Sequence, residues 1–101
     1  MSYQFRILGC GSSGGVPRVG FGWGNCDPMN KKNRRLRCSL LVERTTSSKK
    51  TTVLIDTGPD MREQLLEAKV TNLDAVLYTH SHADHVHGID DLRTLAYRKK
   101  E

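Results

Sequence analysis

Ten residues late in the chain, Thr79-His-Ser-His-Ala-Asp-His-Val-His-Gly88, limit what the whole can fold into. They hold all four histidines of the 101-residue sequence. Before them, Ala75-Val-Leu-Tyr78 reads as a strand. After them, Ile89, Leu92, Leu95 and Ala96 recur at helical spacing, which predicts a helix from about Gly88 to Arg98. The histidines therefore fall in a loop at the carboxyl end of a strand, where open α/β sheets place their sites.

In an extended stretch alternate residues face the same way, so His80, His82 and Asp84 converge on one side. His85 turns toward the same space as the chain leaves the loop. Imidazole and carboxylate at this spacing suit zinc or a similar divalent metal. An accidental histidine-rich loop is the competing reading. Several ligand types at fixed offsets behind a strand argue against it. No H-E-x-x-H helix and no P-C-x-x-C pair occurs, which excludes a zincin and a zinc deaminase.

The rest of the chain supplies a small α/β framework. Tyr3, Phe5 and Ile7 alternate with Gln4, Arg6 and Leu8, predicting an opening strand with one well-buried face. Seven glycines between Gly9 and Gly24 exclude regular structure there and imply tight turns or close backbone approach. That loop is a candidate rim for the site, but it lacks the G-K-[ST] ending of a P-loop. Ser39–Val42 and Thr51–Ile55 read as a hairpin around a polar turn. Asp60, three residues before Glu63, resembles a capping box opening a helix that carries Met61, Leu65, Leu66 and Ala68 to about Lys69.

Composition narrows the setting. Sixteen Lys and Arg against eleven Asp and Glu give a formal charge of +5. The excess gathers at Lys31, Lys32, Arg34, Arg35 and Arg37, and again at Arg98, Lys99 and Lys100. Such runs attract phosphate, nucleotide or RNA, or simply stay solvated. Cys10, Cys26 and Cys38 form no C-x-x-C pair, so neither a zinc knuckle nor a disulfide framework is expected. With no signal-like or membrane-length apolar run, the expectation is a cytoplasmic protein without a membrane partner.

His80-x-His82-x-Asp84-His85 resembles the H-x-H-x-D-H signature of the metallo-β-lactamase superfamily. Leu8-Gly-Cys-Gly-Ser-Ser-Gly-Gly-Val-Pro17, Leu54-Ile-Asp-Thr-Gly58 and His87-Gly-Ile-Asp-Asp-Leu92 look like the branch that includes the phosphoribosyl 1,2-cyclic phosphate phosphodiesterases. The resemblance implies two divalent metal ions, zinc foremost, with manganese and iron also suited to the ligands. It gives His80 and His82 to the first metal and Asp84 and His85 to the second. Asp84 would also act in catalysis by holding the attacking hydroxide. Asp56 would support the metal loop from behind, and His87 falls outside the motif. No separate cofactor-binding residue is implied.

The fold this implies is α/β: residues 1–101 as the N-terminal half of an αββα sandwich, with a mixed sheet and at least two helices. The family's further histidine and aspartate ligands follow the first motif, and no histidine follows His87. The expectation is a metal-dependent phosphodiesterase for a small cyclic phosphate or nucleotide-like diester, inactive as an isolated chain. Other hydrolases of this fold, acting on thioesters, lactones or tRNA 3′ ends, are one alternative. A non-catalytic remnant or binding module is the other, with self-association through an incomplete core. Nucleic acid is the less favoured partner.

Overall fold

The computed structural model describes residues 1–99, with side chains as far as Ala96; the terminal cations Arg98, Lys99 and Lys100 lie outside those side chains. Four strands form one mixed sheet in the order β1 (Ser2–Gly9), β2 (Ser39–Thr45), β3 (Lys50–Ile55), β4 (Ala75–Leu77). The first two pairings are antiparallel and β3–β4 is parallel. Helix α1 (Met61–Glu67) crosses between β3 and β4, and α3 (Leu92–Lys99) follows a 3-10 turn at Ile89–Asp91. This is the expected α/β arrangement. No helix of the described residues is long and apolar enough to cross a membrane.

Register explains which side of the sheet is covered. Residues directly opposite across neighbouring strands point to the same face. Leu41, Leu54 and Val76 are aligned by the pairings Leu41↔Leu54 and Leu54↔Val76. They face Met61 and Leu65 of α1, and Leu41, Leu54, Met61 and Leu65 form the buried core. Leu92 and Leu95 of α3 pack against its margin, so both helices lie on one face.

The opposite face carries Phe5, Val42 and Val53 in one row and Ile7, Leu40, Ile55 and Leu77 in the next. No element of the described residues lies over it. The expectation of a well-buried face on β1 is therefore corrected. Tyr3, Phe5 and Ile7 are 56%, 67% and 70% exposed, because they point to the uncovered side. Their alternation marks a surface built for burial, and alternation cannot show whether the covering layer is present.

Two smaller expectations also shift. The hairpin forms, but β2 runs to Thr45, and the turn is closed by Thr46, whose amide and hydroxyl both donate to the carbonyl of Lys49. Asp60 does occupy the N-cap position of α1, yet its side chain makes no capping bond. Its carboxylate instead accepts from the Arg37 backbone at 2.9 Å and from the Arg37 guanidinium at 3.1 Å. A charged partner with two donors outcompetes a single helix amide. The helix stops at Glu67, two residues short of Lys69, which turns the chain with φ +57°.

Candidate functional site

β1 runs antiparallel to β2 and β2 antiparallel to β3, while β4 is parallel to β3. The carboxyl ends of β1, β3 and β4 thus share one end of the sheet. The glycine-rich loop, the Asp56-Thr-Gly58 turn and the histidine loop all open there. Strand direction alone brings together three segments far apart in sequence.

The Asp56 turn and the histidine loop are stitched by backbone. Asp56 N–H donates to the Leu77 carbonyl, Thr57 N–H to that of His85, and Gly88 N–H to that of Thr57, each at 2.8 Å. The approach is too close for side chains at two points. A Cβ on Gly58 would meet the Asp84 carbonyl oxygen at 2.6 Å, and one on Gly88 would overlap the carbonyl oxygen of Gly58. Thr57 is fully buried; its hydroxyl bonds Tyr78 Oη at 2.9 Å and the Val86 carbonyl at 3.3 Å.

Asp56 is the hub of the side-chain network. It is 3% exposed and sits in the left-handed region, φ +69°, a conformation Asp tolerates better than most residues. Its own carbonyl is taken up by the Ser39 hydroxyl at 3.0 Å. Its carboxylate accepts the Thr79 backbone N–H and the Thr79 hydroxyl, and His85 Nδ1 lies 2.6 Å away. Burial alone would raise this carboxyl, but the bonds from His85 and Thr79 outweigh it and hold the pKa below the ordinary 3.8.

These bonds fix proton positions. A carboxylate only accepts, so His85 carries its hydrogen on Nδ1 and presents Nε2. The Thr79 hydroxyl gives its single hydrogen to Asp56, so at its 3.0 Å contact it accepts from His80 Nδ1. That leaves Nε2 of His80 with its lone pair. Both tautomers follow from the network.

The rings gather as the alternation argument expects. His80 and His82 meet edge to face with centroids 4.6 Å apart, and His80 and His85 are 4.0 Å apart. His82 stands at the N-cap of a one-turn helix, α2 (Ala83–Val86), which turns Asp84 and His85 inward. His85 Nε2 faces Asp84 Oδ2 at 3.2 Å. A neutral Nδ1-protonated imidazole would set one lone pair against another there. A cation between them, or a proton on Nε2, removes that repulsion.

The donor set suits a borderline divalent metal: three imidazoles and a carboxylate, one imidazole already bonded to a carboxylate through its other nitrogen. Among the described residues, however, no three such side chains are arranged as a finished metal site. His87 is exposed and outside the cluster, as expected. The sequence reading missed Thr79, which links Asp56 to His80. Its position immediately before the first histidine was the available signal.

A model of the β-lactamase superfamily domain matches residues 51–101. An octanoyltransferase of Porphyromonas gingivalis (strain ATCC BAA-308 / W83) is 46% identical over 94 residues, covering 93% of this chain and 18% of that protein. A solved structure of a diphosphatase from the PhnP family is 41% identical with a TM-score of 0.84, covering 97% of this chain and 37% of that one. Zinc-bound PqqB from Methylobacterium extorquens is 24% identical, TM-score 0.59, over 91% of this chain and 36% of its own. The metallo-β-lactamase fold protein YhfI from Bacillus subtilis is 20% identical, TM-score 0.62, over 97% and 32%. At those identities the last two share the fold. The chain thus spans between about a fifth and just over a third of the proteins it matches.

Proposed function

Because this chain belongs to the β-lactamase superfamily domain family, we propose that it is the metal-loop portion of a metal-dependent hydrolase acting on small phosphodiesters. The observation that carries the reading is the Asp56–Thr79–His80 and Asp56–His85 network, which engages Nδ1 of both imidazoles and leaves Nε2 of His85 facing Asp84 at 3.2 Å. His80, His82, Asp84 and His85 would hold divalent metal, with zinc foremost and manganese or iron as alternatives. Bound metal supplies Lewis acidity and an activated water. Asp84 is the residue we assign to catalysis, where it would hold such a water, and Asp56 keeps the loop in place from behind.

Phosphodiesters are favoured over thioesters, lactones or tRNA 3′ ends by the likeness to a PhnP-family diphosphatase across 97% of this chain. A small cyclic phosphate or nucleotide-like diester is the substrate class that reading implies. The octanoyltransferase is matched over only 18% of its length, so its activity is not carried over. Four donors are too few for two complete sites, and the isolated chain is expected to turn over slowly or not at all. Self-association through the uncovered sheet face belongs to the same reading.

The test is metal per chain on freshly purified protein, measured beside His80→Ala and Asp84→Ala. Bound metal lost in both variants supports the proposal. Metal content unchanged by either substitution overturns the ligand assignment. Rapid hydrolysis of a phosphodiester by the isolated chain overturns its expected inactivity.

A further inference from the structure

The basic run at residues 31–37 is not used by the site above. Arg37 shows what a neutralised cation looks like here: its Nε lies 2.7 Å from Asp60. Lys31, Arg34 and Arg35 make no ion pair among the described residues. All three are exposed and line one cavity of about 440 Å³ along the outer edge of β1, with Leu8 and Leu36 supplying apolar lining and Ile7 reaching its rim from the other face of the strand. Glu67 is the single acidic side chain in its wall.

The backbone beneath these cations is pinned. Arg35 and Val16 exchange both backbone hydrogen bonds, at 2.8 and 2.9 Å, and Arg34 N–H donates to the Lys31 carbonyl at 3.2 Å. Asn30 Oδ1 accepts from Lys32 N–H at 3.0 Å, and Asn33 Nδ2 donates to the Asp27 carbonyl at 3.0 Å. Cations on a fixed backbone lose less freedom when they close on a ligand. The volume lies within the range of small-molecule sites, roughly 300–1,000 Å³.

We propose that this trough binds a nucleoside polyphosphate, the phosphates held by Lys31, Arg34 and Arg35 and the nucleoside resting on Leu8 and Leu36. Three unpaired cations against one carboxylate call for a ligand of at least two negative charges. Guanidinium pairs match phosphate oxygens two at a time. The apolar lining calls for a ligand with a flat apolar body as well. The trough runs along β1 and the histidine loop follows β4, the opposite edge strand of the sheet, and the two share no residue. The two sites are distinct, and this inference does not rest on the proposed hydrolase.

The experiment is calorimetric titration of adenosine triphosphate into the full chain at low salt, with EDTA present so that no metal contributes. One saturable site per chain is expected. Arg34→Gln/Arg35→Gln should weaken it at least tenfold, with folding checked by circular dichroism. His80→Ala/His82→Ala should bind as the parent does. Raising the salt from about 50 to 200 mM should weaken binding, because phosphate contacts are screened. Unchanged affinity in the arginine double variant, or no binding by the folded parent, overturns the proposal. Inorganic tripolyphosphate binding as tightly as the nucleotide overturns the nucleoside assignment, and loss of binding in the histidine variant overturns the separateness of the two sites.

Discussion

Asp56 and Thr79 are joined twice, backbone N–H to Oδ1 and hydroxyl to Oδ2, both at 2.8 Å. The pair spans 23 residues and ties the end of β3 to the start of the histidine loop. Asp56→Ala leaves the amide and hydroxyl of Thr79, both in part-buried bonds, without their acceptor, at a cost of about 2 kcal/mol. Urea unfolding should show that loss, and bound metal should fall with it. Asp56→Asn keeps the shape and the bond from the amide, so its cost should be smaller. Equal stability of parent and Asp56→Ala would remove Asp56 from the centre of the network.

The same carboxylate sets a dependence on pH. Its folded pKa is depressed below the unfolded 3.8, so the folded state binds the proton less readily than the unfolded state. The stabilisation is complete above that unfolded value and is lost as pH falls through the lower folded one. Urea midpoints measured downward from pH 6 should hold until the unfolded value and then decline. In Asp56→Asn the part of that decline due to Asp56 should vanish. A parent and variant with superimposable acid limbs would contradict it.

Gly88 lies against the carbonyl of Gly58, with no space for a Cβ. Gly88→Ala must push the histidine loop away from the Asp56 turn. The expected destabilisation is about 3 kcal/mol, at the high end for overpacking because the obstacle is backbone. Thermal melts read the stability and metal content reads the loop. Gly20, where a Cβ meets nothing, is a useful comparison, since Gly20→Ala perturbs only its φ of +81°.

The Arg37–Asp60 pair holds the segment after the glycine-rich loop to the start of α1. It is one-fifth to one-quarter exposed, so solvent weakens it. A double-mutant cycle with Arg37→Ala and Asp60→Ala should give a coupling of about 1 kcal/mol. A coupling near zero would mean that the backbone pairing of Gly11 with Leu36 holds the loop unaided.

The uncovered sheet face should make the chain associate. Sedimentation velocity at increasing concentration should show growing species, and Phe5→Lys should suppress them. A parent that stays monomeric throughout would remove self-association from the proposed function.

The sequence made strands, turn and helices legible where period and punctuation agreed: the alternation of β1, the hairpin of β2 and β3, and the apolar spacing of α3. The nearness of His80 and His82 was legible too, since alternation in an extended stretch is local geometry, whereas Asp84 and His85 reach the rings through the one-turn helix α2. What stayed hidden was long-range. That Asp60 turns to Arg37 instead of capping α1 depends on a partner 23 residues away. The hub role of Asp56 depends on β3 and β4 lying in parallel register, which no local pattern encodes. The exposure of Tyr3, Phe5 and Ile7 depends on a layer above them, and a strand cannot report its own cover.

β4 pairs through three residues only and stands at the margin of the sheet. The histidine loop is attached to the molecule's least-buttressed strand. Local opening there breaks the Asp56 network but leaves the Leu41–Leu54–Met61 core in place. Amides of residues 75–88 should exchange with solvent ahead of those in β2. Heat would then disperse the imidazoles before the chain as a whole unfolds, and an ion shared among them would act as the clasp that delays it.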